Sequence, residues 1–229
     1  MKNTIIVIIV SFFVLLSACS SESTEEQIHS HLEEAVAQEA EFEEQQEKIT
    51  ELEQREQELY SEIIQLDMDE LEQIQTLSEE AIEIIDERSE KITQERESIE
   101  ASQESFQSTE GLIAELGEDV QEKAEEMYNV MEARYAAYYE LFDAYTSSLE
   151  LEKELYGMLQ QEDTEQEALN EQINNINESY QSVLDYNEQF NENTVSYNDL
   201  KQEFYDVAEI NVTYEETESK EETDEGEET

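Results

Sequence analysis

The residues of this 229-residue chain with a capacity for chemistry are one cysteine, two histidines, 64 acids and twelve tyrosines. His29 and His31 lie two apart, about 200° around a helix, so they cannot chelate one ion together. His29 and Glu33 could, but no third ligand follows, and a solvated helix face is the plainer reading. Asp67-Met68-Asp69 lacks the glycine and later acids of a calcium loop and reads as a helix cap. The acidic faces collect divalent cations only as counterions, so no metal site is expected. Paired carboxylates occur throughout and therefore single out no acid–base pair, because catalysis needs two environments that push their pKa values apart. No Ser-His-Asp set can be placed, and no enzyme is expected. Asn177-Glu178-Ser179 and Asn211-Val212-Thr213 match glycosylation sequons by chance composition. Tyrosine usage is lopsided: eleven of the twelve follow residue 127. Tyr128, Tyr135, Tyr138, Tyr139, Tyr145 and Tyr156 are candidate ligand contacts, because a tyrosine ring stacks on a sugar face while its hydroxyl stays wet. The competing reading makes Tyr128, Tyr135, Tyr138, Phe142 and Tyr145 a core seam. Tyr139 lies outside the seams and is the best single candidate for contact.

The lone cysteine has a different use. Lys2 precedes the nearly unbroken apolar run Ile5 to Leu16. That run is too short for a bilayer core, which needs about 20 residues, and suits a secretory signal segment. It ends in Leu16-Ser17-Ala18-Cys19, which resembles the lipobox of bacterial lipoproteins. The resemblance implies cleavage before Cys19 and a diacylglycerol thioether plus fatty acid on that residue. Two or more acyl chains make a stable anchor where one is marginal. The expected address is the extracytoplasmic face of the cell membrane, with no dissociable cofactor.

Composition narrows the classes further. Eleven basic residues against 64 acids leave a formal charge of −53, and loss of Lys2 with the signal adds one more negative charge. A nucleic-acid binder needs a basic face, and none is available. Four glycines cannot build the phosphate loops of a nucleotide-binding fold, and one cysteine builds no disulfide scaffold.

The elements that must position these residues are helical. Proline is absent, and the apolar residues recur at helical spacing. A first segment starts near Ser23, whose Ser-Thr-Glu-Glu has capping-box form. One stripe is Ile28, Ala35, Phe42, Ile49, Glu56 and Ile63; the other runs His31, Gln38, Gln45, Leu52, Leu59 and Leu66. Its early turns are polar and expected to be loosely held. Asp67–Glu70 is a turn. A second segment carries Leu71, Ser78, Ile85, Ile92, Ile99 and Phe106, with Ile74, Ala81, Arg88, Glu95 and Ser102 beside them. Arg88 is expected to reach the edge or pair with a nearby Glu. Gly111 is expected to end this segment in a left-handed conformation. A third segment, about 112 to 160, has two apolar seams offset by one residue, so it touches more than one neighbour. Thr164-Glu165-Gln166-Glu167 reads as a capping box. A fourth segment repeats Leu169, Ile176, Val183, Phe190, Tyr197 and Phe204 every seven residues, with Asn187 and Thr194 in the companion seam.

The expected fold is all-α: a long antiparallel bundle of about four helices, each roughly 40 residues or 60 Å long. A single dimeric coiled coil is the alternative. The divisions are a signal peptide over 1–18, a lipidated linker over 19–23, the bundle over 24–212 and a disordered acidic tail over 213–229.

The chain resembles the YkyA-type cell-wall-binding lipoproteins of bacilli. The residues that carry this are the lipobox, Leu155-Tyr156-Gly157-Met158-Leu159, Asp163-Thr164, Ile173, Ile176-Asn177-Glu178-Ser179-Tyr180, Phe190-Asn191, Thr194, Tyr197-Asn198, Lys201 and Phe204-Tyr205. The sharp part spans about 155–208. The resemblance implies a Gram-positive surface lipoprotein with a wall association and no catalytic motif. The expected partners are the membrane, through the lipid, and peptidoglycan or cell-envelope proteins. An adaptor or regulator docking on an envelope enzyme or transporter is the alternative. The extreme acidity departs from the family and argues against teichoic acids as the wall ligand.

Overall fold

A computed structural model describes residues 23–210. The signal segment, Cys19, the acidic tail and the second sequon lie outside them. The described chain is helical: α1 (Thr24–Gln38), α2 (Ala40–Ile63), a 3-10 turn (Met68–Glu70), α3 (Leu71–Gln107), α4 (Glu110–Ile113), α5 (Glu118–Leu159) and α6 (Gln166–Val207). α2 pairs with α3 and α5 with α6, giving two antiparallel hairpins. The hairpins meet through α3 and α5, and α1 bends onto α3 and α4. The two hairpin turns share one end, where Gln75 Nε2 donates to the Gln160 carbonyl at 2.9 Å. The N-terminus of α1 and the C-terminus of α6 share the other, where Tyr205 packs edge-on against His29.

Ser23 caps α1 as expected: the Glu26 amide donates to Ser23 Oγ at 3.2 Å and the Ser23 amide to Glu26 Oε2 at 2.9 Å. The first turns are not loosely held. Ile28, Leu32 and Ala35 are buried, a stripe that runs through Leu32 rather than His31. His29 is not simply solvated; its Nδ1 sits 3.0 Å from the Tyr205 hydroxyl.

The first segment is also not one helix. It breaks at Glu39 (φ −83°, ψ 2°), where there is neither glycine nor proline. Ser98 of α3 supplies the cause. Its hydroxyl donates to the Gln38 carbonyl at 2.6 Å and accepts from the Phe42 amide at 3.2 Å. A continuous helix would join that amide to that carbonyl directly. A side chain inserted into the ladder kinks a helix without any local breaker.

α3 buries Ile74, Ser78, Ala81, Ile85, Arg88, Ile92, Glu95, Ile99, Ser102 and Phe106, nearly the two seams read from the spacing. α3 ends at Gln107, with Ser108 as its cap, where the break over Ser108–Gly111 was expected, but the long third helix begins later than about 112. Gly111 is inside α4, and no described glycine has a positive φ. The extended residue is Gly117 (φ −66°, ψ 151°), so α5 starts at Glu118. Thr164 does not cap α6 either; its hydroxyl turns back to the Met158 carbonyl at 2.7 Å, and Glu165 occupies the cap position with no side-chain bond. α5 is wrapped widely, as its double seam requires. α6 buries one narrow stripe, including Ile176, Phe190, Tyr197 and Phe204, because it lies mainly along one neighbour. Asn187 is therefore exposed rather than in a seam.

Candidate functional site

Two arginines sit in the interior, one in each half of the bundle, and each ties all four arms together. In the half near Ser23, Arg134 of α5 is 5% exposed. Its guanidinium grips Glu39 with two parallel bonds, Nη1 to Oε1 at 2.8 Å and Nη2 to Oε2 at 2.7 Å. Nε donates to Thr194 Oγ1 of α6 at 2.8 Å, and Ser102 of α3 donates to Glu39 Oε1 at 2.8 Å. One cation meets one carboxylate in fork geometry, the strongest form of such a pair. The site is closed by rings: Arg134 lies 4.5 Å from the Phe190 centroid, and Phe42, Tyr138 and Phe190 pack on one another.

The other half is differently balanced. Arg88 of α3 is 1% exposed. Its Nη1 donates to Glu152 Oε2 of α5 at 2.8 Å and to Glu56 Oε2 of α2. Nη2 reaches Glu53 Oε1 of α2 at 3.3 Å, and Nε donates to the Tyr145 hydroxyl at 3.0 Å. Tyrosines complete the network. Tyr145 donates to Glu53 at 2.8 Å, Tyr156 to Glu56 Oε1 at 3.0 Å, and Tyr180 of α6 to Glu152 Oε1. Burial works against the charge on Arg88, but Glu152, Tyr145 and Glu56 outweigh it and hold its proton above the usual arginine range.

Three carboxylates thus surround one guanidinium. Burial raises the Glu56 carboxyl, and burial with the nearby Glu56 charge pushes Glu152 up to about 7 despite Arg88. One cation does not neutralise two buried acids, so the pair retains a proton toward neutral pH.

This network floors a cleft of about 530 Å³ between α2 and α6. Glu53, Glu56, Gln57 and Tyr60 form the α2 wall, and Ile173, Ile176, Asn177 and Tyr180 the α6 wall. Glu152, Leu155 and Tyr156 of α5 lie beneath with Arg88. The volume falls in the range of small-ligand sites, and the mixture of apolar walls with a few convergent polar groups is typical of them. Glu56 lies 32 residues beyond Thr24, about 50 Å along the helices at 1.5 Å per residue. The cleft therefore stands near the end of the bundle remote from the described N-terminus.

The tyrosines divide. Tyr135, Tyr138 and Tyr145 are core residues with no face to offer a sugar, and the expectation of ligand contact is corrected for them. Tyr156 is also buried, at 2% exposure, but its position borders the cleft. Tyr128 is half-buried and stacks on Phe106. Tyr139 does have a packing role: its hydroxyl donates to Gln103 at 2.7 Å, and Arg96 lies 5.8 Å from its ring centroid. The residues that ligand reasoning missed are Tyr60, Tyr180, Glu53, Glu56 and Glu152. The signal for part of the set was Glu56 inside an apolar stripe and Arg88 at a core position of the facing helix. Among the described residues no group of three or more His, Cys, Asp and Glu is placed to hold a metal ion. No described helix is long and apolar enough to cross a membrane.

Residues 23–207 match the YkyA family, described as "putative cell-wall binding lipoprotein". The uncharacterized lipoprotein YkyA of Bacillus subtilis is 34% identical over 196 residues, spanning 85% of this chain and 88% of that one. The crystal structure of a conserved protein of unknown function from Staphylococcus aureus superposes with a TM-score of 0.70 at 17% identity. That match covers 79% of this chain and 93% of the staphylococcal one, and it shows a shared fold. The chain belongs to the YkyA family of lipoproteins.

Proposed function

We propose that this YkyA-family chain is a non-enzymatic surface lipoprotein, anchored through lipid on Cys19, which contacts the cell wall through the cleft between α2 and α6. The family's description as cell-wall binding supports the destination. The observation that carries the choice of site is the position of the cleft: about 50 Å of helix separates it from the N-terminal end, so it stands well clear of a membrane to which that end would be tied. The rest of the surface is poorly suited to wall polymers, since a chain of charge −53 repels phosphate-rich teichoic acids. Peptidoglycan is the wall component left. Catalysis is not part of this reading, because the acids of the cleft are committed to Arg88 and to tyrosine hydroxyls.

Co-sedimentation of the lipid-free mature chain with purified, teichoic-acid-free sacculi tests this. Retention at physiological salt, weakened by the cleft-filling Ile173→Trp, is expected. A chain that stays in the supernatant with and without calcium overturns the wall reading.

A second reading, an adaptor for an envelope protein, has one observation in its favour. Leu184 and Val195 are 61% and 62% exposed on α6, eleven residues apart and hence on one face. Asn187 and Asn191 lie between them along a shallow groove. Capture of a defined envelope protein that is lost on Leu184→Glu, with sacculus binding absent, would favour it.

A further inference from the structure

We propose that the cleft between α2 and α6 takes an ammonium group carried on a short apolar stem, in the wall context a free amine of a peptidoglycan stem peptide. The source of the amine rests on the wall-contact reading; its chemistry rests on the cleft.

Arg88 is the sole cation among the lining residues and is spent on three acids, Glu53, Glu56 and Glu152. The floor is therefore short of positive charge in a place where water is partly excluded. An entering cation relieves this, whereas an anion meets net repulsion and a neutral sugar leaves the deficit in place. Glu53 is the reachable partner: its side chain is 41% exposed, while those of Glu56 and Glu152 are 11% and 5% exposed.

The walls decide what kind of cation. Tyr60 and Tyr180, both half-buried, border the space from α2 and α6. Aromatic faces attract an ammonium by their quadrupole, most strongly when it is desolvated. Ile173 and Leu155 give an alkyl stem apolar surface to cover. A hydrated divalent ion would use neither feature. The acidic C-terminal segment over 213–229, with Lys220 as its one basic residue, is excluded as an occupant by its sign.

The experiment must separate a site from counterion attraction, since a chain of −53 draws any cation. The lipid-free mature chain is titrated calorimetrically at 150 mM NaCl with Nα-acetyl-lysine methylamide and with its Nε-acetylated form. Saturable one-to-one binding of the free amine is expected, with at least a tenfold loss on Nε-acetylation. Glu53→Gln should lose tenfold or more, and Glu192→Gln, which removes the same charge from the outer face of α6, less than twofold. Ile173→Trp should abolish binding while leaving every charge in place. Equal losses in Glu53→Gln and Glu192→Gln, or indifference to acetylation or to Ile173→Trp, overturn the proposal. Melting curves confirm that each variant is folded.

A parallel arm keeps the two readings apart. Sacculi are compared before and after acetylation of their amines. If both forms bind equally, the wall reading stands and the amine falls. If the lysine probe binds in the cleft and neither sacculus does, the amine stands and the wall reading falls.

Discussion

The two halves of the bundle solve the same problem and reach opposite outcomes. Each buries an arginine at a heptad-like position and ties four arms to it. Around Arg134 one carboxylate meets one guanidinium in fork geometry, and Phe42, Phe190 and Tyr138 seal the surroundings. Around Arg88 three carboxylates compete for one guanidinium, and α2 and α6 leave open space above them. A balanced, closed network fixes register and has nothing further to bind. An unbalanced, open one is held together by the fold and retains a demand for positive charge. Polar residues in a helical seam are thus not one category, and the ratio of charges around them tells structure from site.

The largest test of this contrast is Arg88→Met. It leaves Glu56 and Glu152 buried with no cation, and breaking a buried pair in this way costs about 3–5 kcal/mol. The cost should depend on pH. Both acids have folded pKa values raised above their unfolded values, Glu152 to about 7. Protonation favours the folded state, so lowering the pH from 8 to 5 should recover much of the lost stability of the variant. Urea melts at the two pH values check it. A variant equally destabilised at both would show that packing of the Arg88 stem matters and the charge imbalance does not.

Arg134→Met comes next, at about 3 kcal/mol, because Glu39 keeps the Ser102 hydroxyl but loses its fork. The loss should appear as faster amide exchange in α1 and around Phe42, where the break at Glu39 is no longer pinned. Ligand binding at the cleft should be unchanged in the folded fraction. Weaker cleft binding in this variant would mean that the halves are coupled and not separable as drawn.

What could be read from the residues follows the same division. The number of long arms, their order and the seams of α3 and α5 follow from spacing, because side chains that recur at helical period must share a face. Ile85, Ile92, Ile99 and Phe106 all fall in the core in this way. The break at Glu39 was not legible, since its cause is the hydroxyl of Ser98, some sixty residues away in sequence. Gly111 misled for the complementary reason: glycine permits a left-handed residue but does not require one. At the site, Glu56 and Arg88 stood out as charges in apolar stripes. Tyr60 and Tyr180 could not be singled out, because tyrosine at a half-buried position looks the same whether a ring faces a neighbour or an open cleft. Only the separation of α2 from α6 distinguishes them, and that is set by how each packs on its own hairpin partner.

Between the two arginines lies a buried acid with neither. Glu95 is fully buried and accepts from Gln46 Nε2 at 2.6 Å, with the Tyr138 hydroxyl beside it. Burial pushes its carboxyl up to about 7, against the opposing pulls of Gln46 and the Tyr138 hydroxyl. The folded state therefore binds an extra proton between the unfolded value of 4.5 and about 7, and stability rises as pH falls through that window. Glu95→Gln keeps the size and removes the charge. It should be more stable than the parent by about 2 kcal/mol at pH 8, with the gap closing near pH 5. A gap that persists at pH 5 would show that the parent carboxyl is never the source of the cost.

The smallest expected effect tests whether the closed end is purely structural. α6 ends with Glu209 at φ 53°, the only non-glycine residue with positive φ among the described residues. The Ile210 amide donates to the Tyr205 carbonyl at 3.0 Å and the Glu209 amide to Asp206 at 3.4 Å, the paired bonds of a left-handed helix stop. Ile210 packs on the core that also holds Tyr205 and Phe204. Glycine has no Cβ to resist this conformation, so Glu209→Gly should stabilise the chain by about 0.5–1 kcal/mol, less the extra entropy glycine loses on folding. The gain should appear in the melting midpoint and leave amine binding at the cleft, on the far side of the Arg134 network, as it was. If binding tightened with the midpoint, closure of the N-terminal half would be transmitted along α6 to Tyr180, and the open half would owe its shape to the closed one.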